Sequence, residues 1–298
     1  MVLFKKNHTL GVKWLLSQAC MSMTKGLRQR LQQERGHPFV IFANDNIGIT
    51  INQFGLFEHI ELQLLRDFLR PIRALCSESI ALDIGANIGN HALFLSKLFF
   101  EVHAFEPNPL TYQLLKINAA FATNVIPHDH GLGNIAGTYP LSFTATNAGG
   151  SSIIANAAPQ DRMTEDVKIE VLDDCFNTEK EIKLIKIDTE GFETNILIGA
   201  IQTIMRHRPL ILFEQHINQF SAGSTPAIDI LQKHAYVICW LERKNVGNST
   251  LSRAIRILRE SVAGRTLMVR SGESIPVRSH AMLIALPEEM VSILDTIS

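Results

Sequence analysis

The sequence predicts an α/β fold of the doubly wound class, built on a seven-stranded, mostly parallel sheet. Short apolar segments alternate along the chain with segments of helical periodicity, which is typical of strands connected by crossover helices. Because these short segments are apolar along their whole length, we expect helices to cover both faces of the sheet. The predicted strands are residues 80–82, 102–105, 125–127, 184–187, 210–213, 236–240 and 282–286.

A basic helical arm, residues 1–36, is predicted before the main domain. Residues 12–33 have the pattern of an amphipathic helix, and Gly36 then follows as a helix-terminating residue. Seven basic residues against the single acid Glu34 give residues 1–35 a formal charge of +6. Such an arm can pack on its own domain or contact an anionic partner. We expect no nucleic-acid partner, and the sequence leaves peripheral membrane contact and the oligomeric state open.

The main domain is predicted to span residues 37–298, with its core sheet between residues 78 and 290. Residues 39–42 and 47–51 are expected to form a hairpin, because Asn and Asp residues between them tolerate turn conformations. Residues 144–166 are rich in small and polar side chains and are expected to form a lid, a binding loop or a disordered segment. A short helix is expected around residues 255–261.

Cysteine and charge placement exclude several protein classes. The four cysteines are far apart and have no C-x-x-C spacing, so neither a zinc module nor a disulfide scaffold is expected. Residues 128–130 include His and Asp, but neighbours on a strand face opposite sides, and we predict no metal site. Lys13 interrupts the apolar residues near the N-terminus, and no segment has the roughly 18 apolar residues of a membrane span. We therefore expect a cytoplasmic protein.

Residues 80–91 predict a ligand-binding turn between a buried strand and a helix. Gly85 lets the backbone turn, and Gly89 would permit close approach of a ligand to the backbone. Asn87 occupies the second glycine position of the dinucleotide pattern G-x-G-x-x-G, so a pyrophosphate fits poorly. Asp83 would repel phosphates but suits the ammonium group of a methionine moiety. The turn therefore favours a ligand without phosphates.

Glu106 follows the second predicted strand and strengthens this interpretation. It lies 23 residues after Asp83, near the offset of about 20 at which an acidic side chain binds ribose hydroxyls in doubly wound sheets. Together the two features predict an adenosyl cofactor. The predicted cofactor-binding residues are Asp83, Gly85, Ala86, Asn87, Gly89, Asn90, His91, Glu106, Pro107, Asn108, His130 and Gly131.

These motifs resemble those of the FkbM-type S-adenosylmethionine-dependent methyltransferases. The resemblance implies a seven-stranded methyltransferase fold, S-adenosyl-L-methionine as donor, and methyl transfer to a hydroxyl on a sugar, glycan or polyketide-like molecule. This sequence departs from the family pattern at Asn134, where the family usually has an acidic residue. The similar segments, which together cover about residues 38–290, are residues 82–89, 105–108, 147–152, 184–193 and 209–214.

Three carboxylates are predicted at the reaction centre. Asp188 and Glu190 follow the fourth predicted strand and Glu214 the fifth, and ligands of open α/β sheets bind at the carboxyl ends of strands. Methyl transfer to a hydroxyl also requires removal of its proton, so a nearby base is useful. Asp188 is the first candidate, as base or as positioner, before Glu190, which could equally cap a helix, and Glu214. Lys186 is expected to pair with a carboxylate. His216, two residues beyond Glu214, could reach the cleft, but a surface or packing role is favoured.

Two alternatives remain open from the sequence. The chain could be an adenosyl-ligand-binding regulatory module that has lost the chemistry, although the intact segment 188–190 speaks against this. It could also be an oxidoreductase acting on nucleotide sugars, although the missing second glycine disfavours that function.

Overall fold

The computed structural model describes residues 11–43, 45–144, 147–153, 163–243, 267–272 and 274–292. The predicted helix around residues 255–261 lies outside the described residues. The strands are β1 (Ile80–Ile84), β2 (Glu101–Phe105), β3 (Val125–His128), β4 (Gly131–Leu132), β5 (Gly137–Thr144), β6 (Asn147–Ile153), β7 (Met163–Glu170), β8 (Ile182–Ile187), β9 (Leu210–Gln215), β10 (Tyr236–Arg243), β11 (Leu267–Ser271) and β12 (His280–Pro287).

Helices connect these strands. They are α1 (Val12–Arg35), α2 (Asn46–Phe54), α3 (His59–Phe68), α4 (Arg73–Cys76), α5 (Asn90–Leu95), α6 (Pro109–Ala119), α7 (Leu172–Cys175), α8 (Glu193–Gly199), α9 (Ile201–His207) and α10 (Pro226–Lys233). Short 3₁₀ turns follow at Arg70–Ile72, Ile217–Gln219 and Glu288–Met290. Within the described residues, no helix is both long enough and apolar enough to cross a membrane.

The large sheet has eight strands in the order β11-β10-β12-β9-β8-β1-β2-β3. Strands β3, β2, β1, β8 and β9 are parallel, while β12 runs antiparallel to both β9 and β10. The chain adds β2 and β3 on one side of β1 and then crosses to place β8 and β9 on the other side. The direction of strand order therefore reverses between β1 and β8, where doubly wound sheets bind their ligands.

Each face of the sheet is covered by helices, as the apolar strands predict. Alternate residues of β1 point to opposite faces: Ala81 packs with α3, α5 and α6, while Leu82 packs with α8, α9 and α10. All five residues of β1 are buried. The doubly wound α/β class is confirmed, and all seven predicted strands are present, with β11 added at the edge of the sheet.

The predicted hairpin at residues 39–51 was wrong. Residues 39–42 form no strand, and Asn46–Phe54 is helix α2. The Asp45 carboxylate accepts a hydrogen bond from the Gly48 backbone N–H at 2.5 Å, which caps the helix. Asp and Asn favour both turns and helix N-caps, so the same residues fitted two local structures.

The predicted irregular segment at residues 144–166 was also wrong in its described parts. Strands β5, β6 and β7 join β4 in a second sheet, in the order β4-β7-β5-β6. Few apolar side chains mark these strands. Leu141, Phe143, Val167 and Ile169 form a small buried cluster on this sheet.

Helix α1 confirms the helical part of the predicted arm. It has no buried residue. Arg35 at its C-terminal end donates a hydrogen bond to the Gly55 carbonyl oxygen at 2.9 Å, which joins the arm to the end of α2.

Removing the α2 cap provides a test of this part of the fold. Asp45→Ala should lower the free energy of unfolding by about 1 kcal/mol, because the Gly48 N–H loses its acceptor. Asp45→Ser should retain most of the stability, since a hydroxyl can accept the same bond. Urea unfolding of the two variants measures the difference. Equal stability of Asp45→Ala and the unmodified chain would contradict the capped helix.

Candidate functional site

A cavity of about 270 Å³ lies at the carboxyl ends of β1, β2, β8 and β9, where the strand order reverses. It is lined from three parts of the chain: the segment before β1, the loops that follow the central strands, and the second sheet. The lining residues are Asn46, Ile47, Phe57, Glu58, Ile84, Gly85, Ala86, Asn87, Ile88, Asn90, His91, Glu106, Pro107, Gly131, Leu132, Leu141, Ile169, Lys186, Asp188, Thr189, Glu190, Phe192, Glu214 and Ala281.

The two predicted glycines of the loop after β1 have different roles. Gly85 has φ +76°, and a Cβ there would lie 1.9 Å from the Asp188 carbonyl oxygen, so only glycine fits the turn. Gly89 has φ +92°, and a Cβ there would lie 2.9 Å from Leu115 Cδ1 of α6. Gly89 is not among the described lining residues. It permits packing of the loop on α6 rather than the ligand approach that the sequence predicts.

The backbone N–H groups of this loop are already used by the protein. Those of Gly85 and Ala86 donate to the Phe105 carbonyl oxygen, both at 3.0 Å, and that of Gly89 donates to Ala86 at 2.9 Å. The N–H of Asn87 donates to Glu106, and that of Ile88 to the Asn87 side chain. A phosphate-binding loop instead presents free N–H groups to its ligand. The geometry thus agrees with the predicted preference for a ligand without phosphates.

Glu106 lies in the cavity wall with its carboxylate fixed by two backbone groups. Oε2 accepts from the Asn87 N–H and Oε1 from the Asn108 N–H, both at 2.9 Å. Burial raises the pKa of Glu106 to about 7, although these two hydrogen bonds and Lys186 act in the opposite direction. Each carboxylate oxygen has a second lone pair, so the side chain can accept two further hydrogen bonds from a ligand.

Asn108 caps helix α6 and does not face the cavity. It is fully buried, and its side chain accepts from the Leu110 N–H at 3.0 Å to cap α6. Within the described part of the chain it does not line the cavity, whereas the adjacent Pro107 does.

Asn90 and His91 connect the loop to the segment before β1. The Asn90 side chain accepts from the Phe57 N–H and donates to the Phe57 carbonyl oxygen, both at 3.0 Å. His91 Nε2 lies 3.2 Å from Glu58 Oε2. These contacts bring Phe57 and Glu58 into the cavity wall. Neither residue is predicted from the sequence, because nothing in their local pattern indicates the tertiary link.

Lys186 is the centre of the charge arrangement. Its Nζ lies 3.2 Å from Asp83 Oδ1, 3.2 Å from Asp188 Oδ2 and 3.3 Å from the Gly85 carbonyl oxygen. Burial alone would lower the Lys186 pKa, but the carboxylates of Asp83 and Asp188 outweigh it and raise the pKa. The predicted ion pair of Lys186 is therefore present, and it has two carboxylate partners.

Asp83 does not have the surroundings that the sequence predicts for it. Its side chain is 0% exposed, and it is not among the described residues that line the cavity. From the sequence, a ligand ammonium is expected beside the Asp83 carboxylate. In the structure the Lys186 ammonium lies there instead. Asp83 thus fixes Lys186 rather than facing the ligand.

The three predicted catalytic carboxylates meet on one side of the cavity. Asp188 keeps 37% of its side chain exposed there, and burial would raise its pKa, but Lys186 and His91 lower it. Burial and the neighbouring charges of Asp188 and Glu190 raise the pKa of Glu214, which forms a hydrogen bond with Asp188. Asp188 is therefore the ionised member of this pair and Glu214 the protonated one.

Glu190 and His216 face each other beside this pair. His216 Nε2 lies 3.2 Å from Glu190 Oε2 and 3.8 Å from Glu214 Oε2, so it reaches the cleft instead of having the favoured surface or packing role. The three side chains bring ligand atoms within 4.8 Å of one another and could hold a cation. Glu190 does not cap α8, which has no side-chain cap; Glu193 at its start accepts from the Gly191 N–H at 2.9 Å and fixes the preceding turn.

Apolar side chains from the second sheet form the opposite wall. Leu132, Leu141 and Ile169 line it together with Gly131, and Phe192, which precedes α8, adds to the same wall. His130 is not among the described lining residues. Because β4 pairs with β7, the His130 side chain instead lies against Glu170, with 3.6 Å between His130 Nε2 and Glu170 Oε2.

Comparison with known proteins decides the family. A family model described as the methyltransferase FkbM domain matches residues 83–245, more than half of the chain. The chain belongs to the FkbM methyltransferase family. This confirms the resemblance drawn from the motifs, and the matched region contains the loop after β1, Glu106 and all three candidate catalytic carboxylates.

Individual relatives of this FkbM methyltransferase domain are distant. Hexuronic acid methyltransferase AglP of Haloferax volcanii is 32% identical over 145 residues, covering 45% of this chain and 57% of its own. Methyltransferase sdnD of Sordaria araneosa is 26% identical over 177 residues, covering 48% of this chain and 68% of its own. A crystal structure of an FkbM methyltransferase from Methylobacillus flagellatus is 16% identical, with a TM-score of 0.38, and the match covers 90% of this chain and 60% of that one.

Removing the Lys186 ammonium tests the charge arrangement. Lys186→Met leaves the buried Asp83 carboxylate without its partner and should lower the free energy of unfolding by about 3 to 5 kcal/mol. Lys183→Met on the same strand is the matched control, because Lys183 pairs with the exposed Glu181. That change should cost about 1 kcal/mol or less. Chemical denaturation measures the free energy of unfolding of both variants. Equal losses would show that the buried Lys186 pairs contribute no more stability than the exposed Lys183 pair.

Proposed function

We propose that this FkbM-family chain is an S-adenosyl-L-methionine-dependent O-methyltransferase. Its acceptor would be a hydroxyl group of a sugar, glycan or polyketide-like molecule. The observation that supports the proposal is the position of Glu106. It accepts a hydrogen bond from the loop after β1, whose backbone N–H groups are already paired within the protein, and it lines the same cavity as Asp188. The relative named as a hexuronic acid methyltransferase supports a sugar-like acceptor.

The cavity has chemically distinct walls that fit the parts of the donor. Glu106 can accept hydrogen bonds from the two ribose hydroxyls. The apolar wall of Leu132, Leu141 and Ile169 suits the flat face of an adenine ring. The remaining end, beside Gly85 and Asp188, is left for the methionine part. When bound, S-adenosyl-L-methionine would supply an activated methyl group on its sulfonium.

The protein's own contribution is to orient the acceptor and take up its proton. Asp188 is held ionised by Lys186, so it can accept a hydrogen bond from an acceptor hydroxyl and aim the oxygen. Glu214 remains protonated beside it and supports the Asp188 carboxylate. Glu190 and His216 form a second acid–base pair that could receive the proton during transfer. Positioning by Asp188 and proton uptake nearby together define the proposed reaction centre.

Donor binding is tested with S-adenosylhomocysteine, which lacks the transferable methyl group. At a hundredfold excess over its dissociation constant it should stabilise the chain by about 2.7 kcal/mol, whereas NAD should not. Glu106→Ala should weaken binding by about tenfold or more, because hydrogen bonds to a charged group are lost. Glu101→Ala, at the other end of β2, is the matched control and should bind normally. Unchanged affinity of Glu106→Ala by calorimetry would remove Glu106 from the donor site.

Catalysis is tested at Asp188. Asp188→Asn should bind S-adenosylhomocysteine within a few-fold of the unmodified chain, yet transfer methyl about 10² to 10⁴ times more slowly. Turnover is measured by isotope transfer to an acceptor, first identified by incubating labelled donor with an extract of the host. A variant that transfers at the unmodified rate excludes a catalytic role, and one that loses donor binding places Asp188 in the donor site. Donor binding without transfer by the unmodified chain would favour the binding-module alternative.

A further inference from the structure

A group of three metal-ligating side chains lies outside the proposed active site. His130 precedes β4, Glu170 ends β7 and Cys175 ends α7. One ligand atom from each, a ring nitrogen, a carboxylate oxygen and a thiol sulfur, lies within 4.8 Å of the other two. We propose that His130, Glu170 and Cys175 bind a zinc ion, which joins the second sheet to α7.

The buried nitrogen of His130 is the observation that points to a ligand. His130 Nε2 is shielded from solvent and has no hydrogen-bond partner among the described residues. A buried polar atom normally has a partner, because leaving it without one costs free energy. This nitrogen lies 3.6 Å from Glu170 Oε2, a distance too long for a hydrogen bond but suited to two ligands of one ion.

The opposite nitrogen of His130 supports the same role. Asp129 Oδ1 lies 3.8 Å from His130 Nδ1. Histidines that bind metals usually direct their second ring nitrogen towards a carboxylate or carbonyl, which fixes the tautomer and the ring orientation. At 3.8 Å Asp129 makes no hydrogen bond to the ring, but it is the carboxylate beside Nδ1, while Nε2 faces Glu170.

Glu170 and Cys175 are available as ligands. Lys168 pairs with Glu170 Oε1, which leaves Oε2 directed at His130. The Cys175 thiol donates a long hydrogen bond to the Leu172 carbonyl oxygen at 4.0 Å, and its sulfur lies within 4.8 Å of the Glu170 ligand oxygen. On metal binding the thiol proton would leave to solvent and the sulfur would bind as thiolate.

The ligand types and spacing favour zinc over hard cations. Nitrogen, oxygen and sulfur ligands in tetrahedral zinc sites lie about 3.3 to 3.8 Å apart, as bond lengths of about 2.0 to 2.3 Å require. The present atoms need only small side-chain movements to reach this spacing, and Cys175 is exposed and able to move. Magnesium and calcium prefer oxygen ligands alone. Three protein ligands leave a fourth position for water.

The backbone gives the site a rigid base. Leu132 of β4 pairs with Glu170 of β7 in parallel register, two residues after His130. Cys175 comes from α7, whose Leu172 packs in the same buried cluster as Leu132 of β4. A bound ion would therefore fix α7 against the β4–β7 pair.

Cobalt(II) is the probe, because a cobalt–thiolate bond gives an intense absorption band that nitrogen and oxygen ligands do not give. The full chain, freed of metal with a chelator, should bind one equivalent with this band, and zinc should displace it. Cys175→Ser should lose the band. His130→Gln and Glu170→Gln should bind at least about tenfold more weakly.

Cys20→Ser is the matched control, since Cys20 and Cys175 are the two exposed cysteines of the chain. It should retain the full band. Circular dichroism confirms that each variant is folded, and the Glu190, Glu214 and His216 group cannot produce the band because it has no sulfur. Absence of the band in the unmodified chain, its persistence in Cys175→Ser, or its loss in Cys20→Ser would overturn the proposal.

Discussion

The buried ammonium of Lys186 is the interaction on which the rest of the site depends. It bridges Asp83 within β1 and Asp188 at the end of β8, the two strands between which the strand order reverses. It also reaches the Gly85 carbonyl oxygen, so the turn after β1 and the end of β8 are held in one arrangement. Without this ammonium the buried Asp83 carboxylate would have no compensating charge. The same ammonium keeps Asp188 ionised while Glu214 beside it holds a proton.

A second set of contacts closes the cavity around this centre. Glu106 satisfies the backbone of the loop after β1, and Asn90 holds the chain at Phe57 against the same loop. The backbone N–H groups of the loop therefore donate hydrogen bonds within the protein, and side chains such as Glu106 determine which ligand binds. This is the physical difference between this cavity and a phosphate-binding loop, which keeps those donors free for its ligand.

The central sheet could be predicted because strands buried on both faces are apolar along their length, as β1 is. The second sheet could not, since apolar side chains such as Leu141 and Val167 stand isolated among polar and small residues. Helix α2 was mistaken for a strand because Asp45 suits a turn and an N-cap equally.

In the candidate site, too, the positions of residues could be predicted from the sequence but their contacts could not. Its carboxylates were predicted from their positions at strand ends, where chain order and sheet topology bring them together. Their roles depend on neighbours distant in sequence: Asp83 faces Lys186, His216 faces Glu190, and His130 faces Glu170. These pairings follow from tertiary packing, for which residue spacing carries no signal.

The most direct test of the central claim, that the donor occupies this cavity, is a crystal structure of the chain with S-adenosylhomocysteine. We expect ribose hydroxyls on the Glu106 carboxylate, adenine against Leu132 and Ile169, and the sulfur on the Asp188 side of the cavity. A ligand bound in the opposite direction, or outside the carboxyl ends of β1 and β8, would contradict this claim.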